Sequence, residues 1–249
     1  MFQKERKKER LLLSDLKKAK VAEVVTKGLS QNVQLQDSGI PSIGMIPAHW
    51  EVKRIKDIAS EMFMGTTPVY EYEEENTNYI LGQRNNQLGG VTFDGVKFAK
   101  DSFFAQRQEY EFLKFGDVLL NTLGGGSVGR AGYYNLDSNK RVITDGHIMV
   151  IRSKIYNTKF LYYYLLSIKE QLENMAIGST NQSFFNISDI RIIPIVVPPI
   201  EEQIKIASYL DHECEQIEKK CALIDKQIQQ LQLLKRALIN EVVTGKKTI

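Results

Sequence analysis

From Ile200 to Val243 the chain has no Pro and no Gly, and its apolar residues fall at Ala207, Leu210, Cys214, Ile217, Cys221, Ile224, Ile228 and Leu231. Steps that alternate between three and four residues form the seam of a coiled coil, and Leu234, Leu238 and Val242 continue it with a slight shift. At 1.5 Å per residue the predicted helix is roughly 60 Å long. A narrow seam on so long a helix asks for a partner helix. Leu210, Cys214, Ile217, Cys221, Ile224, Ile228 and Leu231 are the candidate interface residues. The two cysteines read as small core residues. One heptad separates them by roughly 10 Å, too far for a disulfide within one helix.

The other end also patterns as helix. Leu11–Leu13, Leu16, Ala19 and Val24 recur at helical spacing among Lys and Glu, and Thr26-Lys27-Gly28 ends the run with Gly28 as the C′ residue. A polar linker follows from Ser30 to Gly39. Between about Pro41 and Pro199 short β-like runs alternate with turn signals. Strands are predicted at Asn78–Leu81, Val91–Phe93, Val118–Asn121, Ala131–Tyr134, His147–Arg152 and Ile192–Val197, and a helix over Phe160–Met175. The predicted class is α+β. One mixed domain (41–199) lies between a short N-terminal helix (1–29) and a long C-terminal coiled-coil helix (200–249).

The two helical ends share a text. LKKAKVAEVVT from Leu16 and LKRALINEVVT from Leu234 are identical at seven of eleven positions. Composition adds little to this picture. The chain is 43% hydrophobic and 25% charged, which is ordinary for a globular protein. No run is long and apolar enough to span a bilayer, the N-terminus lacks the apolar core of a signal peptide, and two cysteines make no disulfide framework. A cytoplasmic location is the default expectation. The net charge of +3 comes from residues 1–30, with nine Lys/Arg against four Asp/Glu. Such an arm attracts polyanions or is simply a solvated helix face.

Catalytic signatures fail on their context. Gly124-Gly125-Gly126-Ser127-Val128-Gly129 fits G-x-G-x-x-G, but strand and turn follow it where a dinucleotide site needs a helix. Arg130-Ala131 stands where a P-loop requires Lys-Ser/Thr. His49, His147 and His212 have no Cys or His neighbour at metal-ligand spacing. No G-x-S-x-G elbow supports a nucleophilic serine. Glu202-Gln203-Ile204-Lys205 opens the long helix and reads as an N-terminal charge cluster rather than a nuclease motif. Val197-Pro198-Pro199-Ile200 lacks the amide and aromatic of an adenine methyltransferase loop. No cofactor or metal site is expected in this chain.

Two polar clusters remain. Gln83, Arg84, Asn85, Asn86 and Gln87 form one; Ser179, Thr180, Asn181, Gln182 and Ser183 form the other. Arg suits guanine, and Asn or Gln suits adenine, through bidentate contacts. With Arg107, Gln108 and Arg130, these are the candidate DNA-contacting residues, and the glycine turn with Ser127 and Arg130 can approach phosphates. Asn- and Ser-rich surface loops are also common without any such role.

Several segments together resemble the specificity subunits of type I restriction-modification systems. They are Ser38-Gly39-Ile40-Pro41 through Ile46-Pro47-Ala48-His49-Trp50-Glu51, Gly65-Thr66-Thr67-Pro68, Phe115-Gly116-Asp117-Val118-Leu119, Thr144-Asp145-Gly146-His147 and Gly178–Gln182. Pro198–Gln203 leading into Ile206–Asp211, with the EVVTGK ending, is the most specific part. The resemblance implies a non-catalytic, sequence-specific DNA-binding subunit. Its partners would be double-stranded DNA, adenine-modification subunits and restriction subunits, and S-adenosylmethionine, ATP and Mg would belong to those partners. Members usually carry two recognition domains, each followed by a long helix, and the helices pack antiparallel. One recognition domain here implies a half-length form, with residues 1–28 as the tail of a first helix. That account explains the repeated text and implies an open seam through which two chains pair to read a symmetric bipartite site. A silent fragment, and a coiled-coil module that binds only protein, are the alternatives.

Overall fold

The computed structural model describes residues 2–30, 32–68, 72–73, 77–87, 90–136, 140–178 and 184–244. It divides into two compact units: Ala22–Ala207, and Met1–Val21 with Ser208–Ile249. The boundary falls inside both terminal helices, Phe2–Lys27 and Ile200–Val243.

The larger unit is mixed α+β. An antiparallel sheet runs in the order Ala131–Tyr133, Val118–Asn121, Ile148–Arg152, Glu61–Met64. The two central strands are buried at every position, as strands covered on both faces must be. One face is covered by the helix Thr158–Ser167, which packs on Val118–Asn121 and Ala131–Tyr133. On the other, Leu119, Ile148 and Val150 meet Leu81, Tyr134 and Val142 in one core cluster. Leu81 and Val142 come from a second sheet, in which Arg141–Thr144 runs parallel to Asn78–Leu81 and Lys97–Ala99 antiparallel to it. Alternation along these strands sends Ile80 and Ile143 the opposite way, onto Phe103 and Phe104 of the short helix Asp101–Ala105.

The strand positions predicted at 78–81, 118–121, 131–134, 147–152 and 192–197 are found within a residue or two. The run at 91–93 contributes only the end of a two-residue strand, Gly90–Val91. The helix predicted over 160–175 divides into Thr158–Ser167 and Lys169–Met175. At the break Ser167 Oγ donates to the Tyr164 carbonyl at 2.7 Å, a local bond that competes with the helix ladder.

One charged residue ties much of the larger unit together. Arg152, 8% exposed, makes a two-pronged contact with Asp117 at 2.7 and 2.9 Å and reaches Glu61 at 2.6 Å. It also donates to the Tyr110 and Phe112 carbonyls, both at 2.6 Å. The Phe115–Leu119 motif thus supplies a buried counter-ion. Elsewhere the Glu202 carboxylate accepts from Trp50 Nε1 at 3.0 Å and lies 2.6 Å from His49 Nε2. Gln203, 1% exposed, accepts from Asn157 N and donates to Pro198 O. The helix-opening sequence Pro198–Gln203 is therefore a staple.

In the smaller unit the two helices pair antiparallel. Arg10 meets Asp225 at 2.6 Å, Lys17 meets Glu218 at 2.5 Å, and Lys20 meets Glu213 at 2.7 Å. Leu210, Cys214, Ile217, Ile224 and Ile228 are buried, and Cys221 and Leu231 are half-buried. The open seam expected from the sequence is thus corrected. Over Leu210–Ile228 the chain's own N-terminal helix covers it, because that helix is long enough to lie along those five turns. Instead Leu11, Leu12 and Leu16 stand 61%, 59% and 51% exposed, with Leu223, Leu233, Leu234 and Ile239 exposed on the other helix.

The repeated text has a repeated geometry. Thr26 Oγ1 donates to Ala22 O at 2.7 Å, and Thr244 Oγ1 donates to Asn240 O at 2.7 Å. Gly28 takes φ +75° and donates to Val24 O, as a C′ glycine does.

Candidate nucleic-acid interface

The polar run Gln83–Gln87 leaves the end of the strand Asn78–Leu81 through a tight turn. Asn85 N donates to Gly82 O, and Asn85 Oδ1 accepts from Gly82 N at 2.9 Å. Asn85 Nδ2 then reaches Asp94 O at 3.2 Å. Asn86 is fully buried, its Nδ2 within reach of Asn121 Oδ1 at 2.8 Å, Arg130 O at 3.1 Å and Leu119 O at 3.3 Å. A Cβ at Gly132 would stand 1.7 Å from Asn86 Oδ1, so glycine makes room for this amide. Asn85 and Asn86 are therefore corrected from base-reading candidates to structural residues. Their donors satisfy carbonyls where the strands end, which burial requires.

The rest of the run differs. Arg84 and Gln87 are exposed and Gln83 is half-buried. The Gln87 amide donates to Arg84 O, and the Gln83 amide donates to Leu123 O and, at 3.4 Å, to His147 O. Asn121 Nδ2 returns a bond to Gln83 O at 3.3 Å. Gln83 thus joins three loops.

The second of these is the glycine turn. Ser127 and Val128 donate to Gly124 O, Gly129 donates to Asn121 O, and Ser127 Oγ donates to Leu123 O at 3.0 Å. Gly125 and Gly126 form an exposed tip, with Gly126 at φ +75°. Arg130 is half-buried, with its guanidinium 3.5 Å from Asn86 O.

The third is Thr144–His147. Asp145 N donates to Leu81 O, Asp145 Oδ1 accepts from His147 N at 2.9 Å, and the His147 carbonyl takes Thr122 N and Oγ1. The Gly65–Pro68 motif packs on this turn. Thr66 N donates to Thr144 O, Gly146 N donates to Thr67 Oγ1 at 2.8 Å, and a Cβ at Gly65 would stand 2.2 Å from Thr144 O. Burial pushes the Asp145 carboxyl above its ordinary range.

Phe184 brings in a fourth segment. It bridges to both Leu123 and Ile177, and Phe185 N donates to Thr122 O. Ser179, Thr180, Asn181, Gln182 and Ser183 lie outside the described residues, but Ile177 and Phe184 on either side are anchored beside the glycine turn.

The structure therefore brings together Gln83, Arg84, Gln87, Arg130 and the flanks of the 179–183 segment. Arg107 is placed differently. Its guanidinium lies 4.6 Å from the Phe103 ring centre and 3.3 Å from Glu111, a carboxylate that also accepts from Thr66 Oγ1. Gln108 is exposed at the start of the short 3₁₀ turn Glu109–Glu111, where its N–H donates to Glu111 at 2.7 Å. Sequence reasoning named Asp145 only within the Thr144–His147 segment, weighed His147 only as a metal ligand and did not name Lys97; the structure places all three beside these loops, with Asp145 half-buried. The Asp-Gly turn signal at 145–146 marks a loop tip and was the available clue.

A family model described as the type I restriction modification DNA specificity domain matches residues 47–233. The type I restriction enzyme MjaVIII specificity subunit of Methanocaldococcus jannaschii is 25% identical over 242 residues, covering 94% of this chain and 54% of that protein. The putative MjaX specificity subunit of the same organism is 26% identical over 241 residues, covering 94% and 51%. The chain spans about half the length of these curated relatives. Among solved structures, a chain from work on complex assembly and conformational transition of the type I R-M system superposes with TM-score 0.72 at 20% identity, over 96% of this chain and 54% of that one. The HsdS subunit from Thermoanaerobacter tengcongensis gives TM-score 0.60 at 19% identity, over 96% and 53%. At those identities the likeness is one of fold.

Proposed function

Because the chain belongs to the type I restriction-modification DNA specificity family, we propose that its larger unit recognises one half of a bipartite double-stranded DNA site. The convergence of exposed Arg84 and Gln87, half-buried Gln83 and Arg130, and the exposed Gly125–Gly126 tip on one set of interlocked loops carries this reading. Arg84 and Gln87 are the base-reading candidates. Gly125, Gly126 and Arg130 suit phosphates, which set register without sequence information. The paired helices are the dock for modification subunits, and restriction subunits join through that complex. S-adenosylmethionine, ATP and Mg2+ serve those partners. Titrating labelled duplexes with the full chain over a range of salt is the test. Affinity that falls linearly on a log–log salt plot, with one sequence preferred, is expected. Salt-insensitive binding, or equal affinity for all sequences, would remove the reading.

We further propose that two copies assemble to read a symmetric site. With the Leu210–Ile228 seam already covered, support shifts to the exposed leucines of both helices. Leu11, Leu12 and Leu16 stand exposed on one helix and Leu223, Leu233 and Leu234 on the other, apolar side chains that a second copy would cover. Sedimentation at micromolar concentration should give twice the 28.5 kDa chain mass. Replacing Leu12 and Leu16 with Glu should return the monomer.

A further inference from the structure

Between the end of the strand Asn78–Leu81 and the Thr144–His147 turn lies a cavity of about 290 Å³ whose lining includes Ile80, Gly82, Gln83, Arg84, Lys97 and Asp145. Its charged groups are held in place. Asp145 Oδ1 is engaged by the His147 N–H, while Oδ2 faces Gly82, where even an added Cβ would stand only 3.2 Å away. Among the described residues no hydrogen bond reaches that second oxygen. Arg84 lies across Gly95, close enough that a Cβ there would be 2.7 Å from its Nη2. Among the described residues, neither Arg84 nor Asp145 has an ion-pair partner within 4.0 Å. The Asn85 amide also lines the cavity but is already bonded to Gly82 and Asp94.

A fork of donors beside a single open carboxylate oxygen selects among ligands. A bare phosphate would meet the Asp145 charge. A base pair seen from the major groove offers both acceptors and an amino donor. Two adjacent acceptors that match a guanidinium fork occur on guanine, at O6 and N7, and its partner cytosine presents the N4 amino group beside them. An A·T pair has no such adjacent acceptor pair.

Building on the DNA-recognition reading above, we propose that this cavity reads one G·C base pair of the half-site. Arg84 donates to guanine O6 and N7, and Asp145 Oδ2 accepts from cytosine N4. Asp145 thereby becomes a specificity-determining residue. Its carboxyl is desolvated in the free protein and gains a donor when DNA binds.

The test is selection by the full chain from a pool of randomised double-stranded DNA, with the bound fraction sequenced, for the wild type, Asp145→Asn and Arg84→Gln. Asn at 145 keeps an acceptor for the His147 N–H and turns the outward acceptor into a donor. Both variants should lose preference for G·C at the same base pair, on the order of 10- to 100-fold, with the other positions unchanged. Should Asp145→Asn fail to fold by thermal melting, Arg84→Gln decides alone and must lose a G·C at one position. An unchanged motif in Asp145→Asn, or losses at two different base pairs, overturns the proposal while leaving DNA recognition intact. Uniformly tighter binding with the same motif also overturns it, since the carboxylate then acts by charge alone. A wild-type chain that enriches no motif overturns the DNA-recognition reading and this inference with it.

Discussion

Arg152 in the larger unit and Lys17 in the smaller one each make a short ion pair, at 2.7 Å to Asp117 and 2.5 Å to Glu218, but in different surroundings. The Arg152 side chain is 9% exposed and its partner Asp117 2%, whereas Lys17 and Glu218 are 21% and 51% exposed. Distance alone would rank the two equal. Solvation separates them. Water screens the helix-pair contacts and competes for them, so each adds little and serves mainly to set register. Around Arg152 the ions have left water, and the site is stable only while every hydrogen bond is in place. The larger unit is thus pinned from within by polar groups, and the smaller is held chiefly by its apolar seam.

The largest expected effect tests the buried side of this comparison. Arg152→Met should destabilise the larger unit by about 3–5 kcal/mol in urea unfolding, because Asp117 is left buried without its partner. Next come the amide and its glycine. Gly132→Ala drives a Cβ into Asn86 and should cost about 1–3 kcal/mol by the same assay. Asn86→Ala should cost a similar ~1–3 kcal/mol by stripping donors from buried carbonyls. Lys17→Ala, on the exposed side, should cost only about 0.2–1 kcal/mol and less at high salt. A Lys17 effect as large as that of Arg152 would break the comparison.

Acid titration sharpens it. The Arg152 guanidinium holds Glu61 below the usual carboxylate range, so its stabilising contribution is complete above the unfolded value and is lost as pH falls through the folded one. Asp117 runs the other way. Burial raises its carboxyl despite Arg152, so its contribution is present below the unfolded value and fades as pH rises through the folded one. Glu61→Gln should therefore flatten the acid limb of the stability profile, and an unchanged limb would assign it elsewhere.

These contrasts explain what the sequence reveals. The 3-4 alternation after Ile200 and the Thr-Lys-Gly ending at 26–28 are local signals, and both helices lie where those signals put them. The apolar runs at Val118–Asn121 and Ile148–Arg152 likewise carry their own burial. Asn85 and Asn86 do not, because the carbonyls that capture them come from Leu119, Arg130 and Asp94, and the space for Asn86 comes from Gly132. Composition suggests a solvated loop there, and long-range packing decides otherwise. Arg84 and Gln87 in the same run stay outside because no buried carbonyl claims them. The seam was legible as an interface, but not its cover. Naming the partner requires knowing that the basic residues at 10, 17 and 20 fall opposite acids at 225, 218 and 213.

Directed adenine methylation tests the central claim most directly: this chain should be co-expressed with a type I modification subunit from the same genome, and methylated adenines mapped across the host DNA. The account predicts a new bipartite motif, palindromic if two copies assemble, that disappears when this chain is omitted. Both proteins soluble with no new methylated motif would contradict it.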